Sequence, residues 1–253
     1  MAGKTEMIPA DFARTGLHIA GNGTRPTRFQ VLGERSSGTN YVKRLIGKNV
    51  ALKPTEALGW KHAHTHAKEV PADLALICVV RHAVPWVLSM HAKPWHCTPA
   101  MQALEFPAFI RAPWDTIFDR SRYFNVPERV LGRPLKPDRD PETLERYPDL
   151  IALRQGKLDS LLARRAAGCT FVLLRMEEAV THPGEVLQAI CSGLDLPAPK
   201  NPVRRVVKRL GAKFKPAIPD RPQTPKALAP EDMEWLRGRL DLDQEAALGY
   251  SYD

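Results

Sequence analysis

The chain has 253 residues, of which 43% are hydrophobic and 26% are charged, a balance that is ordinary for a globular protein. Its length lies within the range of one α/β domain and suffices to bury a core without disulfides or a structural metal. No apolar run approaches the roughly 18 residues of a membrane helix, and residues 1–16 lack the apolar segment of a secretory signal. Four scattered cysteines favour reduced thiols, so we expect a cytoplasmic protein without membrane association.

The positive charge of the chain is concentrated in one segment. Lys and Arg outnumber Asp and Glu by 37 to 28, and residues 200–226 alone contain nine basic side chains and one acidic side chain. Such a field favours anionic partners, among them nucleic acids, phospholipids and small polyphosphates. A solvated helix face explains the same charges equally well.

Alternating strand and helix patterns predict an α/β fold with a central parallel sheet that helices flank on both faces. The strands are predicted over 28–32, 57–66, 74–80 and 170–174. The run LALICVV at 74–80 is uninterrupted and apolar, which is typical of a central parallel strand. Helices are predicted from Tyr41, from Pro85, over about 142–165, 183–194 and 203–210, and from Pro230.

One domain is the economical interpretation of residues 1–253, with a core over about 28–195. Residues 94–142 are rich in Pro, Trp, Phe and Arg and show little periodicity. We interpret this segment as an irregular insertion that lines a substrate cleft, although a cover for the sheet edge fits the sequence equally well. Residues 200–253 are predicted to form a basic helix, a proline-rich lid and a C-terminal helix.

The segment Gly33–Asn40, GERSSGTN, has the length of a phosphate loop and lies between a predicted strand and a predicted helix. In such loops, backbone N–H groups and the helix N-terminus converge on an anion. A nucleoside triphosphatase needs Gly-Lys-Ser/Thr at the end of the loop, whereas Thr39 and Asn40 stand here. The loop therefore predicts an anion site for a ligand other than ATP or GTP, unless its glycine and serine residues only build an ordinary turn.

Two further patterns predict chemistry near this loop. Arg81 follows the apolar strand and Ser89 stands eight residues later in a predicted helix; a guanidinium and a hydroxyl are both able to bind phosphate, and a strand-end surface residue and an ordinary polar helix position fit the sequence as well. His62, His64 and His66 alternate, and on a strand they would share one face. A histidine there suits a general base, a zinc ligand or a structural role, and the sequence leaves these three readings open.

These motifs resemble those of sulfotransferases, whose phosphosulfate loop commonly reads Pro-Lys-Ser-Gly-Thr-Thr-Trp. RSSGTNY resembles that loop, RHAVPWVLS resembles the segment that binds the 3′-phosphate, GWKH is similar to a Lys/His cluster, and LLRMEEA is similar to an Arg-Tyr-Glu-Asp strand end. The resemblance touches most of residues 28–195. It implies a P-loop-type fold and sulfuryl transfer from 3′-phosphoadenosine 5′-phosphosulfate to a hydroxyl or amine of a small-molecule, glycan or peptide acceptor. Neither a metal nor a specific nucleic acid is implied.

The resemblance also assigns roles to individual residues. The residues implied to hold the donor are Arg35, Ser36, Ser37, Gly38, Thr39, Asn40, Tyr41, Arg81 and Ser89, with Tyr41 flanking the adenine. Those implied in catalysis are His62 as general base, His64 as the second choice for base, and Arg35 and Lys61 for charge stabilisation.

The chain departs from the family pattern at three places. Ser36 stands where the family has its catalytic lysine, so either Arg35 or Lys61 is expected to replace it. Met176 stands where a tyrosine often contacts the adenine. The C-terminal Arg-Lys-Gly segment that closes over the 3′-phosphate is absent as such, and Lys213 or Lys215 is the expected substitute.

Two rival functions and one buried charge complete the predictions. A P-loop kinase of nucleotides or small molecules is disfavoured by the absent loop lysine, and a non-enzymatic nucleic-acid-binding protein that uses residues 200–226 leaves the motifs at 33–89 unexplained. Arg154 interrupts the apolar stripe of the predicted 142–165 helix, so it is expected to meet an anion. The candidates are a carboxylate such as Glu177 or Glu178, or a ligand in the cleft.

Overall fold

The computed structural model describes residues 8–64, 69–124, 126–207 and 213–253, which contain a five-stranded, mostly parallel sheet. The strands are β1 (Leu17–Ala20), β2 (Arg28–Gly33), β3 (Lys53–Pro54), β4 (Leu74–Val80) and β5 (Phe171–Arg175). They are ordered β1-β5-β4-β2-β3; β1 is antiparallel to β5, and the pairs β5–β4, β4–β2 and β2–β3 are parallel. The predicted α/β class with a parallel sheet is confirmed.

Helices follow most strands of the sheet. They are α1 (Phe12–Thr15), α2 (Thr39–Asn49), α3 (Ala83–Ala92), α4 (Pro99–Gln102), α5 (Phe106–Arg111), α6 (Ser121–Phe124), α7 (Leu150–Leu162), α8 (Met176–Thr181), α9 (Pro183–Gly193), α10 (Pro230–Arg239) and α11 (Leu242–Ala247). Short 3₁₀ segments occupy Glu128–Val130, Lys136–Asp138 and Ala163–Ala167. No described helix is long and apolar enough to cross a membrane.

The predicted strand over 57–66 is wrong for the residues that the structure describes. Residues 57–64 form turns, and residues 65–66 lie outside the described ranges. Gln30 in β2 accepts a hydrogen bond from the Leu58 N–H at 2.9 Å and donates one to the Gly59 carbonyl at 3.0 Å. These hydrogen bonds to the Gln30 side chain hold residues 58 and 59 in place of backbone pairing between strands. The short β3 pairs with β2 and forms the edge of the sheet instead.

Two predicted helices have different bounds in the structure. Helix α7 begins at Leu150 rather than near residue 142, because the Asp149 carboxylate caps the N–H groups of Ile151 and Ala152. The helix predicted over 203–210 is wrong for 203–207, and 208–210 lie outside the described residues. Asn49 binds both the N–H and the carbonyl of Arg204, at 2.8 and 3.1 Å, so that backbone is held by a side chain instead of a helical ladder.

Successive residues of β4 contribute to two separate hydrophobic clusters, as expected from the period of a strand. Leu74, Leu76 and Cys78 belong to the cluster that includes residues of α3, α5 and α7, whereas Ala75 and Ile77 belong to the cluster that includes residues of α2 and α9. Because β2, β4 and β5 are parallel, their carboxyl ends lie at one edge of the sheet. In open α/β sheets this edge is where ligands bind.

Candidate functional site

Residues 34–38 form a tight loop that joins β2 to the N-terminus of α2. Ser36 and Gly38 have φ values of 62° and 96°, and the Ser37 hydroxyl donates to the Glu34 carbonyl at 2.7 Å. The φ of 96° favours glycine at position 38, and a Cβ atom there would displace the end of the Met176 side chain, whose sulfur would lie 2.1 Å away. Among the described residues no side chain caps α2 at Gly38, and the Tyr41 N–H already bonds to the Gly38 carbonyl at 2.8 Å, so the N–H groups of Thr39 and Asn40 are those left for an external acceptor.

Arg81, at the end of β4, is attached directly to this loop. Its Nη1 donates to the Ser36 carbonyl at 2.8 Å, and partial burial lowers its pKa without removing the charge of a guanidinium. Ser89 lies further along α3 and is half-buried. None of the hydrogen bonds in the described part of the chain joins the Ser89 hydroxyl to the loop, whereas Arg81 contacts the loop directly.

Lys61 lies on the other side of the loop. Its Nζ donates to the Asn40 side-chain oxygen at 2.5 Å, and its carbonyl accepts a bond from the Gly33 N–H at 3.1 Å. Burial and, after it, the neighbouring Lys43 charge lower the pKa of Lys61 to about 8. The ammonium is therefore still largely protonated at pH 7, beside the first turn of α2.

His62 is held with a defined tautomer next to the same loop. Its Nδ1 lies 2.6 Å from the Gly33 carbonyl oxygen, and because a carbonyl only accepts, Nδ1 carries the hydrogen. In the neutral ring Nε2 is then the basic nitrogen. Burial, followed by the charge of Lys61, holds the pKa of His62 well below its ordinary value, so the ring is neutral at pH 7.

His64 does not share this environment, so the interpretation of the alternating histidines as one face of a strand is wrong. His64 is buried, and its Nε2 lies 3.0 Å from the Tyr147 hydroxyl. His66 lies outside the described residues. Within the described ranges no cluster of three or more His, Cys, Asp or Glu side chains is arranged to hold a metal ion.

The Arg35 side chain points away from the N-terminus of α2 and into the insertion. Its Nη2 lies 2.5 Å from Asp138 Oδ2, and its guanidinium lies 5.2 Å from the ring centre of Trp114. Burial alone would raise the pKa of Asp138, but the charges of Arg35 and Lys157 hold it below its ordinary value. The charge of Arg35 is therefore already paired, and of the two candidates for the missing loop lysine only Lys61 stands free of a carboxylate partner among the described ion pairs.

Tyr41 lies in the first turn of α2, on the side that faces α8. Its hydroxyl donates to the Ala179 carbonyl at 3.3 Å, and its ring packs with Met176 against the hydrophobic cluster that includes residues of α2 and α9. Thr39 is buried, whereas Asn40 is exposed. Tyr41 and Met176 thus form one wall beside the loop, where the sequence resemblance expects an adenine.

Arg154 is fully buried and binds the side chain of Glu34, the first residue of the loop. Its Nη1 donates to Glu34 Oε2 at 3.0 Å, its Nε to Glu245 Oε1 at 2.9 Å and its Nη2 to the Arg81 carbonyl at 2.9 Å. The expectation that a carboxylate meets Arg154 is confirmed. The structure therefore ties the loop, the end of β4 and α11 to one guanidinium.

The named partners of Arg154 were wrong. Glu177 instead accepts bonds from the His82 N–H and the Tyr250 hydroxyl, both at 3.1 Å, and Glu178 pairs with Arg175 at 2.9 Å. Proximity in sequence to the end of β5 suggested these two residues. The partners actually used are 120 and 91 positions away from Arg154, and no local pattern marks them.

Glu34 is expected to make stability depend on pH. Burial raises the pKa of this carboxyl from 4.5 to about 7, and Oε1 has no hydrogen-bond partner among the described residues. The folded protein then holds a proton that the unfolded chain has lost, so this contribution is complete below about pH 4.5 and is lost as pH rises towards 7. Urea unfolding at pH 5, 6, 7 and 8 should show a decline that Glu34→Gln lacks.

Glu56→Gln is the matched control, because Glu56 is an exposed carboxylate paired with Lys43. It should keep the slope of the unmodified protein. The same slope in Glu34→Gln and in the unmodified protein would contradict the assignment of the titration to Glu34.

The structure brings five predicted site residues together around the loop and places others elsewhere. In addition to Ser37, Thr39, Asn40 and Tyr41, which lie in the loop or the first turn of α2, those at the loop are Ser36, Gly38, Lys61, His62 and Arg81, whereas the side chains of Arg35 and His64 are engaged with Asp138 and Tyr147. Comparisons with protein-family models, curated proteins and solved structures find no match to this chain. The inference of function therefore rests on these residues and their geometry.

Proposed function

We propose that this chain is a sulfotransferase that transfers a sulfuryl group from 3′-phosphoadenosine 5′-phosphosulfate to a hydroxyl or amine acceptor. In this proposal the domain is of the P-loop type, with helices on both faces of the sheet, which the two hydrophobic clusters around β4 support. The observation that carries the proposal is the uncapped loop between β2 and α2, with Lys61, His62 and Arg81 beside it.

Each of these groups suits one part of the transfer. The first N–H groups of α2 and the Lys61 ammonium are placed to bind the phosphosulfate, and the Arg81 guanidinium is placed to bind a second phosphate. His62 Nε2 takes the proton of the acceptor while the acceptor oxygen or nitrogen attacks sulfur. The bond from sulfur to the bridging oxygen breaks, and adenosine 3′,5′-bisphosphate leaves with the electron pair.

The position of Lys61 supplies what the loop sequence lacks. Ser36 offers no charge at the position of the family's lysine, but Lys61 reaches the start of α2 from the turn at 57–64. A cation fixed in place before the reaction stabilises the charge that develops on the bridging oxygen. Catalysis in this site would therefore consist of positioning, electrostatic stabilisation and one proton transfer.

Nucleotide binding tests the proposal. Adenosine 3′,5′-bisphosphate should raise the melting temperature more than adenosine 5′-monophosphate at equal concentration, because its 3′-phosphate adds an ionic contact at Arg81. Ligand present at 100 times its Kd adds about 2.7 kcal/mol to the stability of the folded state. Equal shifts from the two nucleotides would contradict the proposal, and a larger shift from magnesium ATP would favour the rival kinase.

Arg81→Ala provides the matched variant for this measurement. Loss of hydrogen bonds to a charged group should weaken binding of adenosine 3′,5′-bisphosphate by about 1.5–3 kcal/mol while leaving binding of the monophosphate nearly unchanged. Arg28→Ala is the control, because Arg28 begins β2 and pairs with Asp73. Isothermal titration that shows the same affinity for Arg81→Ala as for the unmodified protein would remove Arg81 from the site.

A further inference from the structure

A cavity of about 750 Å³ lies between the insertion and the basic segment that follows residue 212. One wall includes Gln102, Asp119 and Arg120, and the other is residues 213–217 with Lys213 and Lys215. Sequence reasoning expected these two lysines to replace a segment that closes over the 3′-phosphate. The structure places them in this cavity instead.

The wall formed by residues 213–217 is fixed by specific contacts. Arg120 Nη2 donates to the Lys215 carbonyl at 2.8 Å, and the Phe214 ring lies 5.2 Å from the ring of Trp95. The Arg120 guanidinium also stacks on Trp95, at 5.3 Å from its ring centre. These contacts hold the backbone of the segment while the Lys213 and Lys215 side chains remain exposed.

Gln102 fastens the far end of the same wall. Its side chain is buried, its Nε2 donates to the Cys97 carbonyl at 2.9 Å, and its Oε1 accepts the Ala217 N–H at 2.9 Å. A buried amide that uses both ends of its side chain fixes the distance between the two walls. The cavity is therefore formed in the folded chain without a ligand.

The cavity adjoins the candidate catalytic histidine through an aromatic cluster. The Trp60 ring lies 5.3 Å from His62 and 5.8 Å from His96. His96 Nδ1 lies 2.6 Å from Asp119 Oδ1, and Asp119 lines the cavity. The side chains of Trp60, His96 and Asp119 therefore connect the lining of the cavity to His62.

The charged side chains that line the cavity are mainly cationic, which favours an anionic ligand. Three cationic side chains line it, and the one carboxylate among its lining residues, Asp119, already lies 3.4 Å from Arg120 and contacts His96. A cleft lined mainly by one sign of charge raises the local concentration of ligands of the opposite sign. Lys213 and Lys215 make no ion pair among the described salt bridges, so both are available to an anion.

We propose that this cavity binds an acidic group of the acceptor, so that the substrates are hydroxyl or amine compounds that also carry a carboxylate, sulfate or phosphate. The inference rests on the proposed sulfotransferase function. Lys213 and Lys215 bind the acidic group, and the remainder of the acceptor lies towards the aromatic cluster of Trp60 and His96 that adjoins His62. The acceptor is then selected by its charge at a point remote from the atom that receives the sulfuryl group.

Three glycosides that differ only at one carbon test this inference. Isothermal titration compares p-nitrophenyl β-glucoside with the corresponding glucuronide and glucoside 6-phosphate, all without nucleotide. We expect at least one anionic glycoside to bind about tenfold or more tightly than the glucoside. The two anions distinguish a preference for carboxylate from one for phosphate, and both outcomes support the cavity.

The double variant Lys213→Gln, Lys215→Gln should abolish that difference. The control double variant Lys53→Gln, Lys136→Gln removes two exposed lysines outside the cavity lining and should keep it. Equal binding of the three glycosides, binding of none of them, or a difference that survives the first double variant would overturn the inference.

Adenosine 3′,5′-bisphosphate is titrated on the same samples to separate the two proposals. If the nucleotide fails to bind, the proposed sulfotransferase function is wrong. The preference of the cavity for anionic glycosides is still measured by the first titration. Binding of the nucleotide without any preference among the glycosides would remove the acceptor inference alone.

Discussion

Replacement of Arg154 by methionine is expected to lower the free energy of unfolding by about 3–5 kcal/mol, the range for breaking a buried ion pair by removal of one partner. Methionine keeps much of the side-chain volume, so loss of the charge dominates. Glu34 and Glu245, which are 3% and 1% exposed, would remain buried without their cation. The Arg81 carbonyl would also lose its donor. Urea unfolding at pH 7 measures the loss.

Two comparisons make this expectation specific. Addition of Glu34→Gln and Glu245→Gln to Arg154→Met neutralises the stranded carboxylates and should restore part of the stability. Arg146→Met removes a guanidinium that is half-exposed near Asp115 and should change stability by less than about 0.5 kcal/mol. An Arg154→Met protein as stable as the Arg146→Met protein would mean that the buried network contributes nothing to folding.

The second large effect is expected on catalysis. His62→Gln should lower kcat by roughly 10²–10⁴, the usual contribution of a general base, while the Kd of adenosine 3′,5′-bisphosphate stays the same. Glutamine has no titratable group and retains a side-chain amide donor. Transfer from radiolabelled donor to an acceptor that the unmodified protein uses measures kcat. A reduction below threefold would remove His62 from the role of base.

His64→Gln is the control for this experiment. His64 is buried against Tyr147, so the substitution is expected to lower the melting temperature and to leave kcat within a few-fold of the unmodified protein. If kcat instead falls in His64→Gln and not in His62→Gln, the role of base belongs to His64. That outcome would reverse the assignment that the structure supports.

Features that depend on neighbouring residues were predicted well from the sequence. β4 is an apolar run that is buried throughout, and residues 34–38 form a glycine-punctuated turn between a strand and a helix. Both follow from local composition and backbone preference. The failures share a different cause: at 57–64 and at 203–207, side chains of Gln30 and Asn49 from distant elements bind the backbone and override the local pattern.

The charged residues show the same limit. Arg35 is in the expected loop, but its partner Asp138 is 103 positions away, and no local pattern marks the pairing that neutralises its charge. A strand predicted over 57–66 was expected to bring Lys61 and His62 to the site. In the structure a turn within residues 57–64 brings them there instead. Composition predicts which residue types surround an anion; tertiary pairing decides which of them are available to it.

The order in which the chain is made has a consequence for the loop. Glu34 is synthesised 120 positions before Arg154, and Arg154 is synthesised 91 positions before Glu245. At about 5–20 residues per second, a nascent chain contains the whole loop sequence for several seconds or longer before its buried countercharge exists. β2, β3 and β4 pair with one another and can assemble in that interval, whereas β1 must wait for β5. On the ribosome, the loop between β2 and α2 therefore completes its buried charge network only after Arg154 and Glu245 have been made.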